Sequence, residues 1–219
     1  ARIWPLQQLI RSMGAYFVRR NSKDALYRRV LERYIQMATA AGVPQAVYPE
    51  GGLTRDGKLR LPKLGILEYM MRGFDPDGPR DLLFIPVGIN YDRVLEDRSL
   101  LRDVETKSPP ADSGGALGNT LRFVGRNLWQ MARQKWHRFG YACVNLGPPF
   151  SARAWLERQT ASGKPLDVRS LSREERAPHI EKLAKELMTE IGRAIPVLPA
   201  ALVATVLLDR DEPQSELEI

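Results

Sequence analysis

Along the first forty residues, apolar positions recur at helical spacing and not in strict alternation. In "WPLQQLIRSMG" the stripe is Leu6, Leu9, Ile10 and Met13, and Gly14 is a natural helix C-cap. "AYFVRR" then predicts a short strand of β-forming residues. Asn21, Ser22 or Asp24 can cap the helix "DALYRRVLERYIQMATAAG", whose Leu26, Val30, Leu31, Tyr34 and Met37 form one apolar stripe, the mark of a helix that buries one face. Gly42 closes it, and "PQAVYPE" predicts the next strand.

A helix in "KLGILEYMMRG", a turn in "FDPDGPRD" and a buried strand in "LLFIPVGINYD" continue the alternation. Residues 105–119 are a Pro/Gly/Ser-rich loop, followed by a basic amphipathic helix, "TLRFVGRNLWQMARQKWHR", and the strand "GYACVNLGPPF". After a loop over 158–168, Ser172 and Glu175 make a capping box for a helix running to about Arg193. Strands alternating with helices predict an α/β fold with a mixed, largely parallel central sheet flanked by helices. Residues 1–195 read as one domain, and 196–219 as an apolar segment with an acidic tail.

Composition narrows the partners. Hydrophobic residues at 43% and charged residues at 27% describe a globular chain, and a net charge of +7 favours an anionic partner. The single Cys143 supports no disulfide framework or zinc knuckle, and two histidines are too few for a metal cluster, so no metal is expected. No G-x-x-x-x-G-K-[ST] and no G-x-G-x-x-G follows a strand. The longest apolar run, residues 195–208, is shorter than the ~20 residues of a span and contains two prolines; it reads as a buried helix or an interfacial segment.

The basic residues gather at predicted strand ends. Arg19 and Arg20 end one strand; Arg55, Lys58 and Lys63 follow another. Arginine forks suit phosphate, and Gly51-Gly52 lets backbone N–H groups approach an anion closely. These residues predict a phosphate pocket, against the plainer reading of a charged surface turn. His137 and His179 are general-base candidates by residue type alone, each on a predicted helix where solvation is the commoner role.

"GAYFVRR", "YPEGGLTRDGKLRLPKLG" and "FIPVGINYDRVLE", in that order, resemble three successive sequence blocks of the glycerol-3-phosphate acyltransferase family. "GYACVNLGPPF" resembles the family's later strand, and "IPVLPAALVATVLL" the apolar segment that follows the acyltransferase domain. The resemblance implies that Arg20 and the turn of Glu50, Gly51 and Gly52 shape the glycerol-3-phosphate site. It further implies that Arg55 contacts the phosphate; Leu53 stands where the family commonly has a second arginine, so either Arg20, Lys58 or another base compensates or acceptor preference has drifted. Lys63 supports the pocket, and Pro86 positions the floor near the acyl donor.

The family's first block, H-x-x-x-x-D, supplies a histidine base and an orienting aspartate. Only thirteen residues precede "GAYFVRR" and none is His; His137 and His179 are followed five residues on by Ala142 and Ala184. The expectation is an N-terminally truncated chain with no catalytic residue of its own, the dyad lying upstream. The implied reaction moves an acyl group from acyl-CoA or acyl-carrier protein to the sn-1 hydroxyl of glycerol 3-phosphate, with no further cofactor. The enzyme would sit at the cytoplasmic face of the membrane, with the first amphipathic run, the helix with Trp129 and Trp136, and residues 195–208 as candidate contacts, against ordinary core packing as the plainer reading of each stripe. Dihydroxyacetone phosphate or a lysophospholipid is the alternative acceptor. A non-catalytic module for anionic lipid or nucleic acid is the alternative class, and the scattered arginines argue against nucleic acid.

Overall fold

The computed structural model describes residues 24–52, 57–92, 140–160 and 164–209, with Gln8, Ser12, Gly14 and Val18. The predicted strand "AYFVRR" and the helix "TLRFVGRNLWQMARQKWHR" lie outside them. Gln8 and Ser12 are helical, and Gly14 has a φ of +83°, as a helix-ending glycine requires.

Helix α1, Ala25–Ala40, starts where Asp24 stops it from starting earlier: the Asp24 carboxylate accepts from Leu26 N–H (2.9 Å) and Tyr27 N–H (3.2 Å). Gly42, at φ +73°, ends it. Four of the five stripe residues face outward: Ile35 is fully buried and Leu31 half-buried, while Leu26 (73%), Val30 (59%), Met37 (59%) and Tyr34 (54%) are exposed. The reason is the neighbour. Helix α2, Gly65–Gly73, crosses α1 so closely that a Cβ on Gly73 would stand 2.7 Å from the Gln36 Cα. Arg72 of α2 pairs with Glu32 of α1. Backbone proximity and an ion pair draw the other side of α1 inward.

The core lies among α2, helix α3 (Ala152–Glu157) and helix α4 (Arg173–Ala194): Met71, Phe74, Trp155, Leu156, Val168, Ile180 and Leu183 form one cluster. Ser172 caps α4 reciprocally with Glu175, Glu175 N–H to Ser172 Oγ (3.3 Å) and Ser172 N–H to Glu175 Oε2 (2.9 Å). Ser172→Ala is expected to lower unfolding stability by about 1 kcal/mol in denaturant melts. Arg176, 6% exposed, donates to Glu68 (3.2 Å) and to the carbonyls of Leu171 (3.0 Å) and Val168 (3.3 Å), so a buried charge ties α2 to α4. In the loop before α4, Arg169 hydrogen-bonds Asp167 and holds its carboxyl below the ordinary range. A depressed carboxyl lends stability above its unfolded pKa, and that contribution fades as pH falls through the folded value. The pair is half-exposed, so the effect is small.

The predicted parallel sheet is corrected. Among the described residues the strands form two separate antiparallel pairs: β1 (Leu83–Phe84) with β4 (Phe150–Ser151), and β2 (Val87–Tyr91) with β3 (Ala142–Leu146). Pro86 breaks "LLFIPVGINYD" into β1 and β2, and its carbonyl accepts Gly147 N–H (2.8 Å). Nor is β2 buried on both faces. Val87, Ile89 and Tyr91 are exposed, while Gly88 lies against the end of α4, where a Cβ would stand 2.5 Å from Ile195 N and closer still to the Ala194 carbonyl. Among the described residues no strand pairs with "PQAVYPE", and its Pro44 and Pro49 each lack an amide donor. Finally, α5 (Pro199–Leu208) is a helix as expected; among the described residues none of its side chains is buried, although Leu198 just before it is.

Candidate functional site

Tyr48, Pro49, Glu50 and Gly51 form a turn in which Gly51 N–H donates to the Tyr48 carbonyl (3.0 Å). Proline at the second position and glycine at the fourth are what such a turn selects. Two further bonds close the base of the loop that follows. Lys63 N–H donates to the Pro49 carbonyl (2.8 Å), and Arg60 N–H donates to Glu50 Oε2 (3.0 Å). Glu50 is therefore engaged by the returning backbone.

Gly51 is left-handed, at φ +62°. A Cβ there would stand 2.7 Å from Lys63 Cδ and 3.3 Å from Lys63 Nζ, so the lysine stem runs directly across the glycine and carries its ammonium to the turn. The sequence expectation that both glycines offer amides to an anion needs correction. Gly51 spends its N–H within the turn, and only Gly52, with open space where a Cβ would be, leaves room for a close approach.

The structure brings Glu50, Gly51, Gly52 and Lys63 together. Lys58 follows the left-handed Gly57 (φ +72°) on the same loop and is exposed. Arg20, Arg55 and Leu53 lie outside the described residues, as does His137. Pro86 is buried against Gly147, where a Cβ on the glycine would be 3.2 Å from the proline ring. That contact joins the "FIPVGINYD" and "NLGPPF" segments. His179 is half-buried on α4, and Cys143 is half-buried on β3 opposite Asn90.

Three organising residues escaped the sequence reading. Gly88 admits the end of α4 to the back of β2, and Arg176 bridges α2 and α4. Asp92 joins the two ends of the chain excursion between β2 and β3: its N–H donates to the Tyr141 carbonyl (2.9 Å), and Tyr141 N–H donates to its Oδ2 (2.8 Å). Gly140, at φ +95°, is pressed so close to Asp92 that a Cβ would stand 2.5 Å from the aspartate's own. A glycine before one strand and an aspartate after another were visible, but nothing local paired them.

On α2, the phenol of Tyr69 is pushed up by burial, then by the carboxylates of Glu32 and Glu68, so it stays protonated at neutral pH. Two hollows flank α4. One of about 150 Å³ is lined by Leu61, Pro62, Leu64, Glu181 and Lys185, just past the turn. An open cleft of about 770 Å³ lies between α3 and α4, with Phe150 and Ala154 below and Arg158, Glu186 and Arg193 at its sides.

Two family sequence models match the chain in succession. Residues 1–90 match the model described as acyltransferase, and residues 126–218 the glycerol-3-phosphate acyltransferase C-terminal region. Among individual proteins, the chain is 33% identical over 218 residues to a putative acyltransferase, plsB1, of Mycobacterium tuberculosis, covering 99% of the chain and 32% of that protein. It is 28% identical over 222 residues to a glycerol-3-phosphate acyltransferase of Alteromonas mediterranea, covering 99% and 25%. It is 31% identical over 202 residues to a glycerol-3-phosphate acyltransferase of Pseudomonas aeruginosa, covering 91% and 23%. The chain thus spans about a quarter to a third of the length of these curated relatives. Through the two matched regions and through relatives aligned along nearly all of its residues, the chain belongs to the glycerol-3-phosphate acyltransferase family.

Proposed function

We propose that the protein carrying this chain transfers an acyl group to glycerol 3-phosphate, and that the turn at residues 48–52 with Lys63 is the wall facing the acceptor's phosphate. The observation that carries the reading is the lysine stem laid across Gly51, which fixes a cation beside an open Gly52. Holding the ammonium there before substrate arrives means that little side-chain freedom is lost on binding. Arg20 and Arg55 join the wall by family resemblance, with Lys58 on the same loop.

The chemistry needs a base. In the proposed reaction a histidine, oriented by an aspartate, takes the proton of the sn-1 hydroxyl; the oxygen attacks the thioester carbonyl of acyl-CoA or acyl-carrier protein, and the thiolate leaves. Neither histidine of these 219 residues has an aspartate five positions on, so the base is assigned to the remainder of the protein. Attachment to the membrane surface fits a lipid product and the exposed, apolar α5. No single described helix is long and apolar enough to cross a membrane.

Glu50 tests the wall through its loop. Glu50→Ala releases the Arg60 N–H and lets the loop open, so the KM for glycerol 3-phosphate is expected to rise about tenfold with kcat little changed. Glu50→Gln keeps an acceptor oxygen and is expected to restore most of the loss. Steady-state kinetics on the full-length protein decide it: an unchanged KM in Glu50→Ala would remove the turn from the acceptor site. Dihydroxyacetone phosphate, offered in competition, reports whether Leu53 has shifted acceptor preference.

A further inference from the structure

The structure turns most of the apolar stripe of α1 outward, leaving Leu31 half-buried. At 100° per residue, Leu26, Val30, Arg33 and Met37 fall within about 60° of one another, diametrically opposite the buried Ile35. Arg29 borders the stripe on one side and Tyr34 on the other, and Arg29 and Arg33 are both exposed. The stripe runs some 16 Å along the helix. The helix has one carboxylate, Glu32, and it faces inward to Arg72. The outward face therefore carries large aliphatic side chains, two guanidinium groups and no acid.

We infer that this face of α1 docks on an anionic lipid surface. A helix lying among headgroups needs an apolar stripe to enter the acyl boundary and cations at its level to meet phosphodiesters. Leu26, Val30 and Met37 supply the first, and Arg29 and Arg33 supply the second with the bidentate geometry that phosphate favours. The charge is complementary to such a surface along the whole stripe. The face is the convex outside of a helix, and both hollows lie elsewhere, along α4. A lipid surface moulds itself to a convex face, whereas a protein partner ordinarily engages aromatic anchors in fitted pockets. The inference rests on the proposed membrane attachment and not on the identity of the acceptor; it assigns that attachment to α1.

The test is flotation of the full-length protein with vesicles of phosphatidylcholine, alone or doped with phosphatidylglycerol. Leu26→Asp with Met37→Asp is expected to weaken partitioning to doped vesicles about a hundredfold. Arg29→Gln with Arg33→Gln is expected to weaken it about thirtyfold, while leaving the weak binding to phosphatidylcholine alone unchanged. All four positions are exposed, so unaltered thermal melts are expected and separate a docking defect from misfolding. Wild-type partitioning retained by both double variants would overturn the inference and leave membrane attachment to other elements. No partitioning of wild-type protein would overturn attachment as well. A dimer in light scattering that either double variant dissociates would identify the face as a self-interface and overturn the lipid assignment.

Discussion

Replacing Gly88 by valine is expected to destabilise the protein by more than about 3 kcal/mol. What a side chain at Gly88 would strike is backbone: the carbonyl of Ala194 and the amide of Ile195, at the end of α4. A flexible side chain can move aside, but a helix terminus held by the core cluster cannot. The alternative is for α4 to lift away from β2. That movement would break the hydrogen bond from Asn90 Nδ2 to the Pro196 carbonyl (2.9 Å) and unseat the strand pair. Gly52→Ala makes the contrast, because open space surrounds that position and its backbone is not left-handed; its expected cost in stability is within about 0.5 kcal/mol. Denaturant titration of both variants checks the pair. A Gly88→Val loss below about 1 kcal/mol would contradict the described packing of β2 on α4.

Lys63→Met is the second large effect, and it falls on function. Methionine keeps the apolar stem that covers Gly51 and removes the charge. Losing a charge-assisted contact to phosphate costs about 2–3 kcal/mol, so kcat/KM for glycerol 3-phosphate is expected to drop roughly a hundredfold with the melting curve little moved. The control is an acceptor without a phosphate. Transfer to glycerol, slow in wild type, should be nearly indifferent to the substitution. Equal losses on both acceptors would mean that Lys63 supports the fold and not the phosphate.

What could be read from the sequence was decided locally. Asp24 and the Ser172–Glu175 box are cap signals, and each closes within three residues in the structure. The turn at Tyr48–Gly51 carries proline and glycine at the offsets a turn selects, yet the apolar run before it read as a strand through Glu50. The family blocks singled out Glu50, Gly51, Gly52 and Lys63, which the structure brings close together at one turn. What failed depended on contacts distant in sequence. Whether β2 pairs parallel or antiparallel depends on where the chain returns after residues 93–139, and no local pattern encodes that. The α1 stripe had the right period, but a glycine on another helix and the Glu32–Arg72 pair decided which side faced inward. Lys63 reaches Gly51 only because the Pro49 carbonyl holds the returning backbone.

The central claim is that these residues form the acceptor wall of an acyltransferase. The most direct measurement incubates the full-length protein with labelled glycerol 3-phosphate and an acyl-CoA, and follows label into lipid extract. The account predicts labelled 1-acylglycerol 3-phosphate, formed in preference to products from dihydroxyacetone phosphate or a lysophospholipid. A folded protein that yields no labelled lipid with either acyl-CoA or acyl-carrier protein as donor would contradict it.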